Sequence, residues 1–282
     1  MFLPPISTIV AIEPMSMVYD PRLPCPSNTT SIQKILQETF LSPHITIYQT
    51  IPLPNHLHRI STLHLSNNIR LILKLPPSTT TPVLRHERHS LASEAAILTH
   101  LSNQNLPIPH LVTHDPRSNN PLGSPFILTT HLLGIPFLDA YTQLTHSEIQ
   151  DVEQQLVELR SHISSYASSM FGPAATVGTG AGHSAWREAF GAMTESILMD
   201  GEDMTVNLPY AAIREAVSAW GSCLEAVREA SLVVPRLGRR ENVRIERRTC
   251  DVVGLLGFGD AVWGDVAFGG DETACEGKKE LL

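Results

Sequence analysis

A lysine, a glutamate, an asparagine and two aspartates stand at the ends or inside of short apolar segments, and these are the side chains with which the sequence could do chemistry. Lys74 closes the run Arg70-Leu71-Ile72-Leu73-Lys74, and Glu94 lies within Leu91-Ala92-Ser93-Glu94-Ala95. A carboxylate brought against that ammonium would hold it in place for an anion; taken alone, a lysine at a strand end is solvated. Asn242 precedes another apolar run, where its amide oxygen suits a hard cation or, more simply, its side chain opens a hairpin turn. Asp260 is a turn carboxylate that could serve the same cation. Asp265 suits the capping of backbone N–H groups better than chemistry. His86-Glu87-Arg88-His89 does not make a zinc helix, because H-E-x-x-H needs its histidines at i and i+4 and here they are three apart. No G-x-S-x-G elbow is present, which removes support for a serine hydrolase.

The elements that must position these groups follow from patterning. His44–Thr50, His58–Leu65 and Ile69–Leu75 read as three antiparallel strands, the last two joined by the turn-forming Ser66-Asn67-Asn68. A helix over His86–Leu101 repeats Leu91, Ala95, Leu98 and Leu101 at helical spacing. Two further strands, His110–His114 and Phe126–His131, complete a five-stranded front part. Thr145-x-x-Glu148 is a capping box for a helix with the apolar stripe Ile149, Val152, Leu156, Leu159 and Ile163. Gly172–Gly182 reads as a flexible loop, Trp186–Met199 and Pro209–Ala230 as helices, and Asn242–Glu246 with Asp251–Leu256 as a late hairpin.

Residues 1–43, rich in Pro, Ser and Thr, form a flank expected to pack loosely, with one helical segment over Ser31–Phe40; 269–282 is a charged tail. Phe2–Ile12 is broken by Pro4 and Pro5 and has no preceding Lys or Arg, so it does not read as a signal peptide, and no uncharged apolar run approaches membrane-spanning length. The net charge of -8 gives no surplus to neutralise a nucleic acid. Cys25, Cys223, Cys250 and Cys275 show no paired spacing, which fits a reducing, cytoplasmic setting.

Three stretches in this order resemble the aminoglycoside phosphotransferase family: the strand ending in Lys74 with the helix bearing Glu94; Ser124–Gly134, similar to the family's fifth strand and inter-lobe hinge; and Gly254–Asp265, similar to its metal-binding turn and Trp-Gly-Asp. Leu84–Leu91, Trp186–Phe190 and Asp200-Gly201-Glu202-Asp203 look most like its poorly characterised fungal branch. The resemblance implies an α+β, bilobal, protein-kinase-like fold, with a small antiparallel-sheet N-lobe carrying one helix over 44–131 and a mainly helical C-lobe with a late β-hairpin over 132–268. It implies ATP and magnesium as cofactors, with Lys74 on the phosphates, Glu94 orienting it, adenine at the hinge around Thr129 and His131, and magnesium on Asn242 with Asp260 as a substitute ligand. The partner it implies is a small-molecule hydroxyl acceptor, not a nucleic acid or a membrane.

The same resemblance exposes departures. In the pattern H-x-D-x-x-x-x-N, counting back five from Asn242 places Leu237 at the catalytic base and counting back seven places Pro235 at the histidine. The carboxylate expected before Phe258 is Gly257, and Pro52–His58, where a glycine-rich loop is expected, has no glycine. Losing a positioned base alone costs about 10²- to 10⁴-fold in rate. The alternatives to a working phosphotransferase are therefore a non-catalytic pseudokinase that binds a nucleotide, metabolite or partner, and a truncated or decayed gene product, since the family's acceptor-site helices would follow Asp265.

Overall fold

A computed structural model describes residues 29–54 and 56–269. The proposed absence of a leader at Phe2–Ile12, Cys25, Cys275 and the charged tail lie outside the described residues. Helix α1 (Thr29–Phe40) precedes β1 (Ile47–Leu53), β2 (Arg59–Leu65) and β3 (Arg70–Leu75); α2 (Ser90–His100) then leads to β4 (Leu111–Asp115) and β5 (Phe126–Thr130). These strands form one antiparallel sheet in the order β1-β2-β3-β5-β4. Alternation sorts its two faces. Leu63, Leu65, Leu71, Leu73, Leu75, Phe126 and Leu128 close against Ile32, Ile35 and Leu36 of α1, while Ile127 belongs to a second core that includes α2 and the C-terminal half.

The flanking helix is thus a core element and not the loosely packed segment its composition suggests. Three aliphatic side chains of α1 at 6% exposure or less represent on the order of 5 kcal/mol of gross apolar burial. The first strand is displaced three residues from its expected place, to Ile47–Leu53. The strand runs through Pro52, which pairs with Ser61, because β1 is an edge strand, where a residue without an N–H is tolerated. Between β2 and β3 the expected turn forms, with Asn68 at φ +64.

The second half continues through β6 (Ile135–Pro136), α3 (Phe137–Ala140), α4 (His146–Ser164), β7 (Ala167–Ser168), β8 (Gly172–Pro173), α5 (Ala174–Gly178), α6 (Trp186–Asp203), α7 (Tyr210–Ala219), α8 (Gly221–Glu225), β9 (Ala230–Val233), β10 (Val243–Ile245), β11 (Val252–Leu255) and β12 (Val262–Gly264). Small sheets β11-β10-β6 and β7-β9-β12-β8 stitch it together. The reciprocal Thr145–Glu148 capping box opens α4 as the sequence predicts. Asp265 Oδ1 accepts from the backbone N–H of Ala267 at 3.0 Å, a cap of the turn that follows it.

Two expectations are corrected. The Gly- and Ala-rich stretch after Phe171 is not a loop throughout, since it holds β8 and α5. Its small residues let α5 approach α2, where Ser93 Oγ accepts from Ala175 N at 3.2 Å and a side chain at Gly178 would already touch Ala96. The long helix expected over Pro209–Ala230 ends at Ala219, restarts as α8, and gives way to β9, where Ala230, Leu232 and Val233 are drawn into the core by pairing with β7 and β12. No described helix is long and apolar enough to cross a membrane.

Candidate functional site

The period of two along β3 decides where Lys74 points. With Leu73 and Leu75 committed to α1, Lys74 turns to the opposite face, in register with Ile60 on β2 and Ile127 on β5. On α2, Leu91, Ala95 and Leu98 pack into the core and carry Glu94 with them, leaving it 5% exposed. Lys74 Nζ and Glu94 Oε1 stand 2.5 Å apart, with side chains 15% and 6% exposed. The sequence-predicted pair is therefore brought together, and an ammonium so held is a fixed positive charge at the sheet's inner face.

The segment joining β1 to β2 lies beside this pair. His58 Nε2 is 2.8 Å from Ser90 Oγ, at the first residue of α2. Burial foremost, and then the Lys74 ammonium, hold both His56 and His58 below the ordinary imidazole value. Glu94, Glu87 and Asp260 pull His58 the other way, which places it electrostatically between the lysine pair and the C-terminal turn. Gly259 of that turn rests on Ser90, where a Cβ would meet the serine Cβ at 3.1 Å.

On the C-terminal side, the position counted back five from Asn242 is a core residue. Leu237 is 2% exposed and packed in the main core, so it cannot occupy a base position. Its neighbour Arg236 is the residue that turns outward. Arg236 Nε donates to Asp260 Oδ2 at 2.9 Å, with side chains 49% and 24% exposed, and the Arg236 carbonyl accepts from Asn242 Nδ2 at 2.9 Å. The exposed neighbour of the buried Leu237 is thus a guanidinium paired with Asp260. Farther along the loop Arg240 lies over the Tyr141 ring, 3.4 Å from its centroid, which anchors the segment to α3 and its extension. Leu256 N donates to the Asn242 carbonyl at 2.8 Å, so β11 delivers the turn at Gly257 directly beside Asn242.

Gly257 is the second departure, and its geometry explains why a glycine fits. Its φ is +89, a left-handed conformation, and an added Cβ would stand 2.6 Å from Asn242 Nδ2 and 3.0 Å from its Cγ. Asn242 and Gly257 are thus adjacent, as the motif predicts, but the turn offers no side-chain oxygen at this point. Asp260, the proposed substitute, is placed on Arg236 instead.

At the hinge, Thr129 is 1% exposed and central in the sheet, with β3 on one side and β4 on the other, so its backbone is spent on the ladder. The His131 N–H donates to the Arg70 carbonyl at 3.2 Å. The ladder thus ends at His131, and Leu132 and Leu133 lead from it to Gly134. The His131 Nδ1 is buried without a partner, and burial, followed by Arg244, Arg70 and His64, holds the ring below its ordinary value. Arg244 of β10 reaches across to donate to the Gly134 carbonyl at 3.1 Å. Gly134, at φ +82, allows that approach, since a Cβ there would strike the Ile245 carbonyl at 2.7 Å.

The donor set fits the two implied groups unequally. A nucleotide finds a fixed ammonium at Lys74. A hard divalent cation finds the amide oxygen of Asn242, whose nitrogen is held by the Arg236 carbonyl, a glycine in place of a carboxylate, and Asp260, whose Oδ2 accepts from Arg236. Among the described residues no group of three or more His, Cys, Asp or Glu is arranged to hold a metal ion. Relative to the implied magnesium set, the site keeps the Asn242 and Asp260 oxygens and lacks the carboxylate that Gly257 replaces. Sequence reading missed Arg236 and His58, because a loop has no period from which the exposed neighbour of a buried residue can be read.

Comparison with known proteins agrees with this geometry. The family model for the phosphotransferase enzyme family, APH, matches residues 59–268. Among solved structures, a thermostable mutant of aminoglycoside phosphotransferase APH(4)-Ia in ternary complex with ADP and hygromycin B is similar at 18% identity and a TM-score of 0.56, over 84% of this chain and 73% of that one. The gentamicin complex of APH(2")-IIa is similar at 14% identity and a TM-score of 0.56, over 84% and 72%. A subtelomeric hrmA-associated cluster protein of Aspergillus fumigatus is 25% identical over 116 residues, 41% of this chain. That match spans 22%, about a fifth, of the curated relative's own length. With the family model covering well over half of its length, the chain belongs to the APH phosphotransferase enzyme family.

Proposed function

We propose that this chain is a nucleotide-binding, kinase-like member of its family that holds ATP at the junction of sheet and C-terminal hairpin and transfers its terminal phosphoryl group poorly or not at all. The observation that carries this reading is the buried Lys74–Glu94 pair, set against a loop in which the outward residue is Arg236 and the only carboxylate, Glu241, is exposed. Lys74 binds and orients the phosphates, Glu94 fixes Lys74, and His131 with the backbone at Leu132 and Leu133 receives the base. Residues 44–131 serve as the nucleotide lobe and 132–268 as the second lobe. The free thiols of Cys223 and Cys250 suit a reducing, cytoplasmic compartment.

Binding to the folded state raises its unfolding temperature. A thermal-shift titration of the purified chain with ATP should show saturable stabilisation that Lys74→Ala abolishes; absence of any shift would overturn the reading. A second reading, phosphoryl transfer to a small-molecule hydroxyl, is favoured by the family match and by Asp260 standing beside the loop that normally bears the base. Incubation with ATP, magnesium and a metabolite extract distinguishes the two. Release of ADP above an Asp260→Asn control supports transfer, and equal release refutes it.

A further inference from the structure

Segments 84–91 and 200–203, singled out in the sequence but given no part in the site so far, meet in space. Asp200 lies near the end of α6 and is 7% exposed, and Arg85 takes both of its carboxylate oxygens. The Arg85 backbone N–H donates to Oδ2 at 2.9 Å and its Nη1 donates to Oδ1. The other arm of the fork, Nη2, donates to Asp203 Oδ2 at 2.6 Å. A guanidinium divided between two carboxylates of one helix has little freedom to turn. That stiffness carries from Arg85 into α2. Glu87 Oε2 accepts from Leu84 N at 2.9 Å, the Leu84 carbonyl accepts from the Glu87 and Arg88 N–H groups at 3.1 and 3.3 Å, and Ser90 Oγ donates to the Glu87 carbonyl at 2.8 Å. Glu94 follows Ser90 by about one helical turn.

Helix α2 packs with the C-terminal half: Leu91, Ala95, Ile97 and Leu98 share a core with Trp186 and Ala189 of α6. The residues flanking Lys74 on β3, Leu73 and Leu75, close instead on α1. The Lys74–Glu94 contact therefore crosses from the sheet to the C-terminal half, and whatever fixes the start of α2 on α6 fixes the acid that the lysine meets. We propose that Arg85 is a positioning residue of the nucleotide site, holding the start of α2 on α6 through Asp200 and Asp203 so that Glu94 stays against Lys74; this rests on the nucleotide-binding reading above. The role needs no contact with the ligand. Without the clamp α2 shifts against the sheet, and affinity falls with the fraction of molecules in which the pair is formed.

The test is calorimetric binding of ATP to the full chain, unsubstituted and with Arg85→Ala combined with Asp200→Asn, a pair that removes the clamp without leaving a buried charge. Urea unfolding checks that the variant is folded. The expected result is about a tenfold loss of affinity, as for a pair formed in about one molecule in ten. In a Glu94→Ala background the same two substitutions should change affinity by less than about twofold, because the acid that Arg85 positions is already gone. Amide hydrogen exchange without ATP should quicken in α2 and not in α4. Native affinity in the folded variant overturns this inference and leaves the nucleotide reading standing. So does an equal loss in the Glu94→Ala background, or exchange that quickens alike in α2 and α4, either of which marks a general loss of stability. If Glu94→Ala alone abolishes binding, the exchange pattern decides. An unsubstituted chain that binds no ATP removes the nucleotide reading and this one with it.

Discussion

Exchanging each of two adjacent residues for asparagine tests whether Arg236, and not Leu237, is the residue that the loop turns toward the site. Leu237 is 2% exposed among apolar neighbours, so Leu237→Asn forfeits about 2 to 3 kcal/mol of apolar burial. It also leaves an amide without partners in the core, at a further cost of about 1 to 3 kcal/mol. Arg236→Asn removes an ion pair whose arginine is 49% exposed, worth about 0 to 1 kcal/mol. The first substitution should therefore cost roughly 3 to 6 kcal/mol, a large part of the 5 to 15 kcal/mol that typically stabilises a domain, and the second about 1 kcal/mol or less. For a domain of this size the two correspond to losses of roughly 6 to 24 °C against about 4 °C or less in melting temperature. Urea unfolding followed by tryptophan fluorescence reads this directly, because Trp186 and Trp263 are buried at 2% and 5% exposure. If Arg236→Asn proved the costlier change, or Leu237→Asn were tolerated within about 1 kcal/mol, the assigned loop register would be wrong.

Other perturbations address the remaining features. Gly257→Ala should destabilise by about 2 to 3 kcal/mol, from the left-handed backbone and from displacing Asn242 off the Arg236 carbonyl. In an Asn242→Ala background the cost should fall to the backbone part alone, a coupling that a double-mutant cycle measures. Glu94→Ala leaves Lys74 buried without its counter-charge and should cost about 3 kcal/mol or more by urea unfolding, with a smaller loss when Lys74→Met is combined with it. His58 is held below the ordinary value of 6.5, so the unfolded chain takes up a proton first as the pH falls. The stability present above 6.5 is then lost as the pH drops through the folded value. His58→Gln should flatten part of that limb of the stability profile, leaving the contributions of His56, His114 and His131, which are lowered in the same direction.

Much of the fold could be read along the chain because regular elements repeat. Alternation in β2, β3 and β5 assigned one face to the core and the other to Lys74, and the capping box marked the start of α4 without reference to any distant residue. Where segments break their period the reading failed. Pro52 hid the end of an edge strand, small residues disguised α5 as a loop, and β9 was absorbed into a helix because only its pairing with β7 and β12 makes it a strand.

The sequence by itself determined the two-part α+β architecture, the Lys74–Glu94 pair and the absence of a carboxylate before Phe258, since each is written in residue type or in a period of two or 3.6. Tertiary structure alone decided that α1 is part of the core, that the hinge backbone is spent up to His131, and that Arg236 rather than Leu237 turns outward on Asp260. A loop has no period, so spacing cannot say which of two neighbours is buried. The apolar core that takes in Leu237 makes that choice, and the charged partner across the chain fixes its consequence.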